Sequence, residues 1–364
     1  MGARRTIIFK NKPVITGSYS IVGPKEGKGN FASYFNYIMK DDSFGEDSYE
    51  KAEKKMLESA VTGAIKDAQI HPDQVGLLLA GDLLNQIISS SYAARNFDLA
   101  YLGLFGACST MAESLAVGAT MVDAGFFDHV VCATGSHFST AERQFRFPLE
   151  LGNQRPPTSQ WTVTGAGATI VSKEGKGPKI TMATLGKVLD YDVNDVNDMG
   201  AAMAPAAMDT MLTHFRETDR SPDDYDLIVT GDLGKLGSEI LIDLMEMSGI
   251  KLGLNYNDCG QMYFTRNQNT LSGGSGCGCS ATVFNSFIID KLRKGELQRV
   301  LFMPTGALMS TTASQQGETI PGVCHAIVIE SDVKPKGGGV QSKGIKKSLN
   351  MSKGESKTSK KEKK

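Results

Sequence analysis

Residues 104–125, LFGACSTMAESLAVGATMVDAG, predict the end of a strand, a tight turn and a long amphipathic helix, with Cys108 at the turn. Residues 276–295, GCGCSATVFNSFIIDKLRKG, follow the same plan, with a Cys-Ser pair opening a helix. Cys108 and Cys279 lie 171 residues apart, and the Thr-Gly pairs at 134–135 and 305–306 have the same separation. The repeated offset indicates that the chain consists of two duplicated halves.

Strands and helices alternate through both halves. Continuous apolar strands separated by helices are typical of sheets that are covered on both faces. Two such halves predict an α/β fold with five layers, α-β-α-β-α. The predicted helices are 48–69, 89–97, 109–124, 203–217, 238–248 and 279–293, and the predicted strands are 75–80, 101–105, 129–134, 226–230, 298–303 and 323–330.

Length and composition divide the chain into a body and a tail. The 364 residues, 40% of them hydrophobic, are enough for a large α/β body, which we divide into halves 1–180 and 181–330. The N-terminus lacks the apolar stretch of a signal peptide, and no apolar run is long enough to span a bilayer. A membrane role would therefore be peripheral.

The tail, residues 331–364, holds eleven lysines and three acidic residues. It has no aromatic residue and little to bury, so it is predicted to be disordered. Two functions fit this composition. The tail is either a solubilising segment or an attachment to anionic lipid or nucleic acid, because each lysine near an anionic membrane contributes roughly 1 kcal/mol.

The six cysteines are expected to be reduced thiols, because nothing in the sequence indicates export. The CGC sequence at 277–279 does not have the spacing of a zinc site, and no paired His/Cys motif follows it. No metal site is therefore predicted from the cysteines, which are residues 108, 132, 259, 277, 279 and 324.

The duplicated plan, with a Gly-x-Cys-Ser turn at the head of a buried helix, resembles the thiolase and ketosynthase superfamily. Within it, residues 5 to 330 resemble the stage V sporulation AD proteins, through motifs that include VGPKEGKG, LLLAGDLLNQ, FGACST, TAERQFRFP, DMGAAMAPAAMDT, DDYDLIVTGDLG, GGSGCGCSA and ETIP. The resemblance implies a protein of endospore-forming bacteria that binds dipicolinate (pyridine-2,6-dicarboxylate) and helps to load it into the forespore.

The same resemblance implies partners and a location. The partners would be dipicolinate and the integral-membrane subunits of the stage V sporulation A complex. The protein would be made in the forespore cytoplasm and would act as a peripheral protein of the spore inner membrane. No resident cofactor is expected, although calcium could enter with dipicolinate. No specific nucleic acid is expected, and a homodimer would form through the strand near 101–105 or 129–134.

Cys108 sits where a nucleophile is expected. A thiol at a helix N-terminus should have a lowered pKa, but a condensing enzyme also needs a histidine and an asparagine or second histidine. The resemblance places Asp232 where ketosynthase-like relatives have the histidine, and Ser275 where they have the asparagine. We therefore expect Cys108 to line a pocket. The alternatives are an acyl-CoA-dependent condensing enzyme or acyltransferase that uses Cys108, and a purely structural scaffold.

Two arginines after residue 140 are the candidate residues for binding a dicarboxylate. Arg143 and Arg146 are three residues apart, so on a helix they would project from one face and hold carboxylates bidentately. The alternative is that they are surface arginines paired with Glu142 or Glu150.

Other candidate ligand-binding residues follow strands of the predicted sheet. Ser136 and His137 end one strand, and Asp82 and Asn85 end the preceding one, where calcium could bridge Asp82 to the ligand or Asp82 could cap a helix. The glycine-rich segment before Cys279 either allows close packing or forms the pocket floor through Ser275 and Cys277.

Overall fold

The structure is a computed structural model that describes residues 3–145 and 154–335. Its strands are β1 Thr6–Ile8, β2 Val14–Val22, β3 Tyr37–Ile38, β4 Leu77–Gly81, β5 Ala100–Gly103, β6 His129–Ser136, β7 Trp161–Thr162, β8 Gly165–Ser172, β9 Lys179–Thr184, β10 Leu227–Thr230, β11 Tyr256–Asp258, β12 Gly274–Ser275, β13 Arg299–Met303, β14 Thr305–Ala307, β15 Gly322–Cys324 and β16 Ala326–Glu330. Its helices are α1 Tyr49–Asp67, α2 Ile88–Ala94, α3 Thr110–Asp123, α4 Phe138–Phe145, α5 Met199–Thr218, α6 Gly234–Met247, α7 Cys259–Tyr263, α8 Cys277–Val283, α9 Ile289–Arg293 and α10 Thr311–Gln315.

Strands of both duplicated halves form one mixed sheet. Its strand order is β5-β4-β6-β8-β2-β9-β16-β13-β10-β11. The five strands counted outward from β2 correspond in order to the five strands counted outward from β9. β4, β5 and β6 are parallel on one side, as are β10, β11 and β13 on the other. β2 and β9 are joined through the single pair Val14 and Lys179. This arrangement confirms the two duplicated halves, and the division of the chain after residue 180 stays a prediction.

Three apolar clusters define the five layers. The outer cluster of the first half joins α1 and α2 to its strands through residues such as Met56 and Leu78. The central cluster joins α3 and the α8–α9 helix to strands of both halves, as with Leu115 and Phe284. The outer cluster of the second half joins α5 and α6 to its strands, as with Met211. The predicted α-β-α-β-α fold is therefore confirmed.

The central antiparallel strands β2, β8 and β9 are absent from the sequence-based prediction. Two glycines in β8, Gly165 and Gly167, weaken its strand signal. A Cβ atom at Gly167 would overlap the backbone of Ala281, so α8 can approach the sheet only because these positions lack side chains. The strand signal is weak because close helix packing requires glycine here.

The start of α5, the cysteines and the beginning of the tail can each be compared with the sequence-based prediction. α5 begins at Met199, four residues before the prediction, because the Asp198 side chain accepts a hydrogen bond from the Ala201 amide. The six cysteines are free, as predicted, and all of them are buried. Residues 331–335 of the predicted tail belong to the body, where Asp332 accepts a hydrogen bond from the Gly177 amide. Residues 336–364 lie outside the described residues.

Candidate functional site

Cys108 lies in a tight turn at the start of α3, at the edge of the sheet where the parallel strands end. The Gly106 carbonyl accepts hydrogen bonds from the amide and the hydroxyl of Ser109, at 3.0 and 2.7 Å. Ala107 has φ of 49°, an uncommon left-handed conformation for a residue with a side chain. A Cβ atom at Gly306 would overlap the Gly106 carbonyl, so β14 packs directly against this turn. Strands of both halves therefore fix the position of the thiol.

Asp232 lies beside Cys108, two residues after β10 ends at Thr230. Its side chain is 1% exposed, and its Oδ1 accepts a hydrogen bond from the Thr305 hydroxyl at 2.8 Å. The Cys108 thiol and the Gly276 amide also donate hydrogen bonds to this carboxyl group. The Gln160 side chain donates to the Asp232 carbonyl. The backbone amide of Gly276 favours the ionised forms of both Cys108 and Asp232. A buried carboxyl group therefore stands where a base would be needed.

The pKa values of this pair oppose thiolate formation. Burial, followed by the charge of Asp232, raises the pKa of Cys108 well above its usual value. Burial also raises the pKa of Asp232 to about 7. The lowered thiol pKa expected from the helix N-terminus is wrong, because burial and the adjacent carboxyl group outweigh the helix dipole. Near neutral pH, Cys108 is a protonated thiol.

A cavity that is partly open to solvent lies against Cys108. Both halves of the chain contribute to its wall. None of the lining residues within the described chain is charged, and most are apolar. They are Leu83, Phe105, Ala107, Cys108, Ala141, Phe145, Thr162, Met199, Ser275, Ala307 and Met309. A mostly apolar lining with a few polar groups is typical of a small-molecule pocket.

Two of the predicted site residues line this cavity, and a third packs close to it. Cys108 and Ser275 line it. Cys277 packs in the same apolar cluster, and its thiol donates to the Gly135 carbonyl at 3.2 Å. The turn and the glycine-rich segment are therefore brought together, although 171 residues separate their cysteines.

Ser136 and His137 have structural partners. Ser136 donates to the Val163 carbonyl at 2.7 Å and accepts from the Gly278 amide at 3.0 Å. His137 is fully buried; its Nε2 donates to the Asp42 carbonyl at 2.9 Å and its Nδ1 accepts from the Ser139 amide at 3.1 Å. Burial lowers the pKa of His137, which keeps the ring neutral. The structure does not bring either side chain to the cavity lining.

Asp82 and Asn85 also differ from the expected placement. Asp82 is buried, and its carboxylate accepts from the amides of Leu84 and Ser90 at 2.9 and 2.7 Å. This matches the capping alternative for Asp82. Asn85 is exposed, and its backbone amide donates to the Gln144 side chain. Neither residue lines the cavity.

Arg143, one of the two arginines predicted to bind carboxylates, does not line the cavity. Arg143 is about half exposed and forms an ion pair with Glu50 of α1. Ala141 and Phe145 of the same helix line the cavity, so Arg143, two residues from each, projects in another direction. Arg146 lies outside the described residues.

The sequence profile of the family described as Stage V sporulation protein AD (SpoVAD) matches residues 3–330. The stage V sporulation protein AD of Bacillus subtilis (strain 168) is 44% identical over 327 residues, which are 90% of this chain and 97% of the relative. The chain belongs to the stage V sporulation protein AD family. These relatives are sporulation proteins, and the predicted membership is confirmed.

Solved structures with the same fold are far less similar to this family member in sequence. OleA of Xanthomonas campestris with cerulenin has a TM-score of 0.59 and 13% identity, and the match covers 91% of this chain and all of that one. A cysteine-to-alanine variant of the same protein has a TM-score of 0.59 and 12% identity, and the match covers 89% of this chain and 98% of that one. These matches confirm the thiolase-like fold.

The five histidines of this SpoVAD-family chain all lie in the described residues, and each has contacts away from Cys108. In the second half, His214 is buried between Thr184 and Tyr225, and His325 accepts from the Gly186 amide at 3.1 Å. The residue that faces Cys108 is Asp232. In the sequence, Asp232 is recognised only as the replacement for a histidine and is not predicted as a residue of the binding site. The apolar lining also carried no sequence signal, because apolar residues of a pocket and of a core are alike in sequence.

Proposed function

We propose that this protein is a non-catalytic member of the thiolase-like fold that binds dipicolinate in the cavity beside Cys108 and helps to deliver it to the forespore. The observation that carries this proposal is that the buried carboxyl group of Asp232, and no histidine, lies against Cys108. A nucleophilic cysteine requires a thiolate or an adjacent base that forms one. The cavity beside Cys108 therefore offers a binding site without that chemistry.

The lining favours the calcium chelate of dipicolinate over the free dianion. Burying a dianion in a cavity without cationic side chains is strongly unfavourable, and the described lining residues supply none. In the chelate, calcium cancels the two carboxylate charges. The flat ring then packs on Phe105 and Phe145, while Thr162 and Ser275 offer hydroxyl groups. Arg146, outside the described residues, follows Phe145 directly in the chain.

Calorimetric titration tests this proposal. Dipicolinate should bind saturably with one ligand per chain, and more tightly when calcium is present at an equimolar concentration. A second aromatic dicarboxylate that cannot chelate calcium through a ring nitrogen, isophthalate, serves as the control and should bind weakly in both conditions. Absence of saturable heat with dipicolinate in either condition would contradict the proposal.

The second candidate is the acyl-CoA-dependent condensing enzyme or acyltransferase. The contact between Cys108 and Asp232 favours it, because a carboxyl group with a pKa of about 7 can exchange a proton near neutral pH. The pKa of the thiol, raised well above its usual value, opposes it.

Incubation with acetyl-, malonyl- or longer acyl-CoA should leave the intact mass of the protein unchanged. The reason is that the thiol stays protonated and no histidine faces it. Mass spectrometry measures the outcome, and Cys108→Ala is the control that identifies the modified thiol among the six cysteines. A stable gain of one acyl group, lost in Cys108→Ala, would favour the enzyme.

The proposal includes three kinds of partner. The first is the set of integral-membrane subunits of the stage V sporulation A complex, which would receive the ligand. The second is an anionic membrane surface, attracted by the lysines of residues 336–364, with no specific nucleic acid involved. None of the helices in the described residues has both the length and the apolar character needed to cross a bilayer.

The third partner is a second copy of the chain. β6 lies inside the sheet, between β4 and β8, whereas β5 lies at its end. Of the two strands suggested by the sequence, β5 alone has a free edge in the described residues. Leu102 on this strand is 44% exposed, and Phe105, which lines the cavity, is 47% exposed. Pairing of two β5 strands would cover these apolar side chains and the mouth of the cavity.

A further inference from the structure

A second cavity lies away from Cys108, around the loop between α7 and β12. Its volume is about 510 Å³, which is within the usual range for small-molecule sites. None of the described residues that line the Cys108 cavity lines this one. We call it the loop cavity, and its lining residues are Lys235, Gln261, Phe264, Thr265, Arg266, Asn269, Thr270, Leu271, Ser272 and Gly273.

The loop that forms this cavity is held in one conformation by backbone hydrogen bonds. The Ser272 amide donates to the Ser159 carbonyl at 3.0 Å, and the Ser272 carbonyl accepts from the Lys235 amide at 2.7 Å. Asn269 and Leu271 have φ of 53° and 55°, in the left-handed region that residues with side chains rarely adopt. Such conformations persist where the surrounding contacts fix them. The loop cavity is therefore formed before any ligand arrives.

The charged side chains among the described lining residues are both cationic. They are Lys235 and Arg266. Lys235 is exposed and forms no ion pair with a described residue. Glu239, one helical turn after Lys235, lines the adjoining surface cavity and not this one. The loop cavity therefore favours an anionic ligand.

Hydrogen-bond donors with unused capacity also line the loop cavity. Thr270 is 8% exposed, and its hydroxyl makes no hydrogen bond with a described residue. Ser272 is 5% exposed; its oxygen accepts from the Leu236 amide at 3.3 Å, and its hydroxyl hydrogen has no acceptor among the described residues. The side-chain amides of Gln261 and Asn269 add further donors. Because nearly all buried polar groups have a partner, the two hydroxyls indicate a ligand that accepts hydrogen bonds.

We propose that the loop cavity binds a small phosphate monoester. A phosphate group carries a charge of roughly −1.5 to −2 at pH 7 and has three terminal oxygens that accept hydrogen bonds. Lys235 and Arg266 would balance that charge, and the hydroxyls of Thr270 and Ser272 would donate to its oxygens. Leu271, 42% exposed, offers an apolar surface to the organic part of the ligand. A carboxylate, with one charge and two oxygens, would use fewer of these groups.

Phenyl phosphate is the probe, and calorimetric titration measures its binding to the full-length protein in a buffer free of phosphate and dipicolinate. It should bind saturably, with one ligand per chain. Benzoate, which has the same ring and a single carboxylate, should bind about tenfold more weakly, since it accepts fewer charge-assisted hydrogen bonds. Inorganic phosphate should displace phenyl phosphate, because the phosphate group supplies most of the binding.

Lys235→Gln should lower the affinity for phenyl phosphate about tenfold by removing one charge-assisted hydrogen bond. Thr270→Val, which keeps the shape of the side chain, should lower it about fivefold. Lys251→Gln is the matched control, because Lys251 is also an exposed lysine of the second half but does not line the loop cavity. This variant has the same change of charge and should bind like the wild type.

Melting curves confirm that each variant folds, and Lys235 is exposed, so its variant should fold even if Thr270→Val does not. Absence of saturable binding of phenyl phosphate at millimolar concentration, or equal affinity for benzoate, would overturn the proposal. An equal loss of affinity in Lys235→Gln and Lys251→Gln would also overturn it, because general surface charge would then attract the phosphate. None of these outcomes bears on dipicolinate, since the two cavities share no described residue.

Discussion

Replacing Ala141 with phenylalanine should lower the affinity for calcium dipicolinate roughly 100-fold, equivalent to about 2.8 kcal/mol. Ala141 is buried in α4 and lines the cavity together with Phe145, one helical turn later. The new ring would occupy the space assigned to the pyridine ring. The neighbours Leu83 and Cys108 are buried and closely packed, so they cannot retreat without further cost. Calorimetric titration measures the change.

Arg143→Ala is the matched control, because it changes a residue on the same helix that points toward Glu50. An exposed ion pair contributes about 0–1 kcal/mol, so this variant should fold and bind dipicolinate within about twofold of the wild type. Wild-type binding by Ala141→Phe, with a normal melting curve, would place the ligand elsewhere. Loss of binding in Arg143→Ala alone would instead support the carboxylate-binding role that the sequence suggested for Arg143.

Replacing Asp232 with asparagine should make the protein more stable than the wild type at pH 8. Burial raises the pKa of Asp232 to about 7, so the folded protein keeps a proton that the unfolded chain releases above about pH 4. Wild-type stability therefore falls by roughly 1.4 kcal/mol per pH unit from this group, from about pH 4 until the pH reaches about 7. Above pH 7 the group is ionised in both states, and the loss stays constant.

Asparagine keeps an oxygen for the Thr305 hydroxyl and carries no charge, so Asp232→Asn should lack this part of the pH dependence. Thermal unfolding from pH 4 to pH 8 gives the difference between variant and wild type, which should widen up to about pH 7 and then level off. Asp73→Asn, at an aspartate whose side chain is 86% exposed, should run parallel to the wild type. A parallel curve for Asp232→Asn would mean that Asp232 is ionised throughout.

The fold was predictable largely because its signal is local and repeated. The turn at Cys108 and its counterpart at Cys279 are each visible within about twenty residues, and the common offset of 171 links them. The strands that escaped prediction, β2, β8 and β9, lie at the centre of the sheet. At Gly167, the requirement for close approach of α8 overrides the local strand preference.

The site was predictable only in part. Cys108 and Ser275 were identified because each follows a recognisable turn. His137 was misplaced because a histidine at the end of a strand reads the same whether it faces a pocket or binds a backbone carbonyl. The orientation of Arg143 was not predicted, because the spacing of two arginines does not show that Arg143 pairs with Glu50 of another helix instead of facing the cavity.

The sequence by itself determined the duplicated α/β plan, the turn that carries Cys108 and the absence of a histidine at position 232. Each of these depends on residue order over a short span or on an exact repeat. Only the tertiary structure decided that Asp232 lies against Cys108 and that the cavity wall is mostly apolar. Those contacts join elements far apart in the chain, and their energies come from burial and charge, which exist only once both halves have packed.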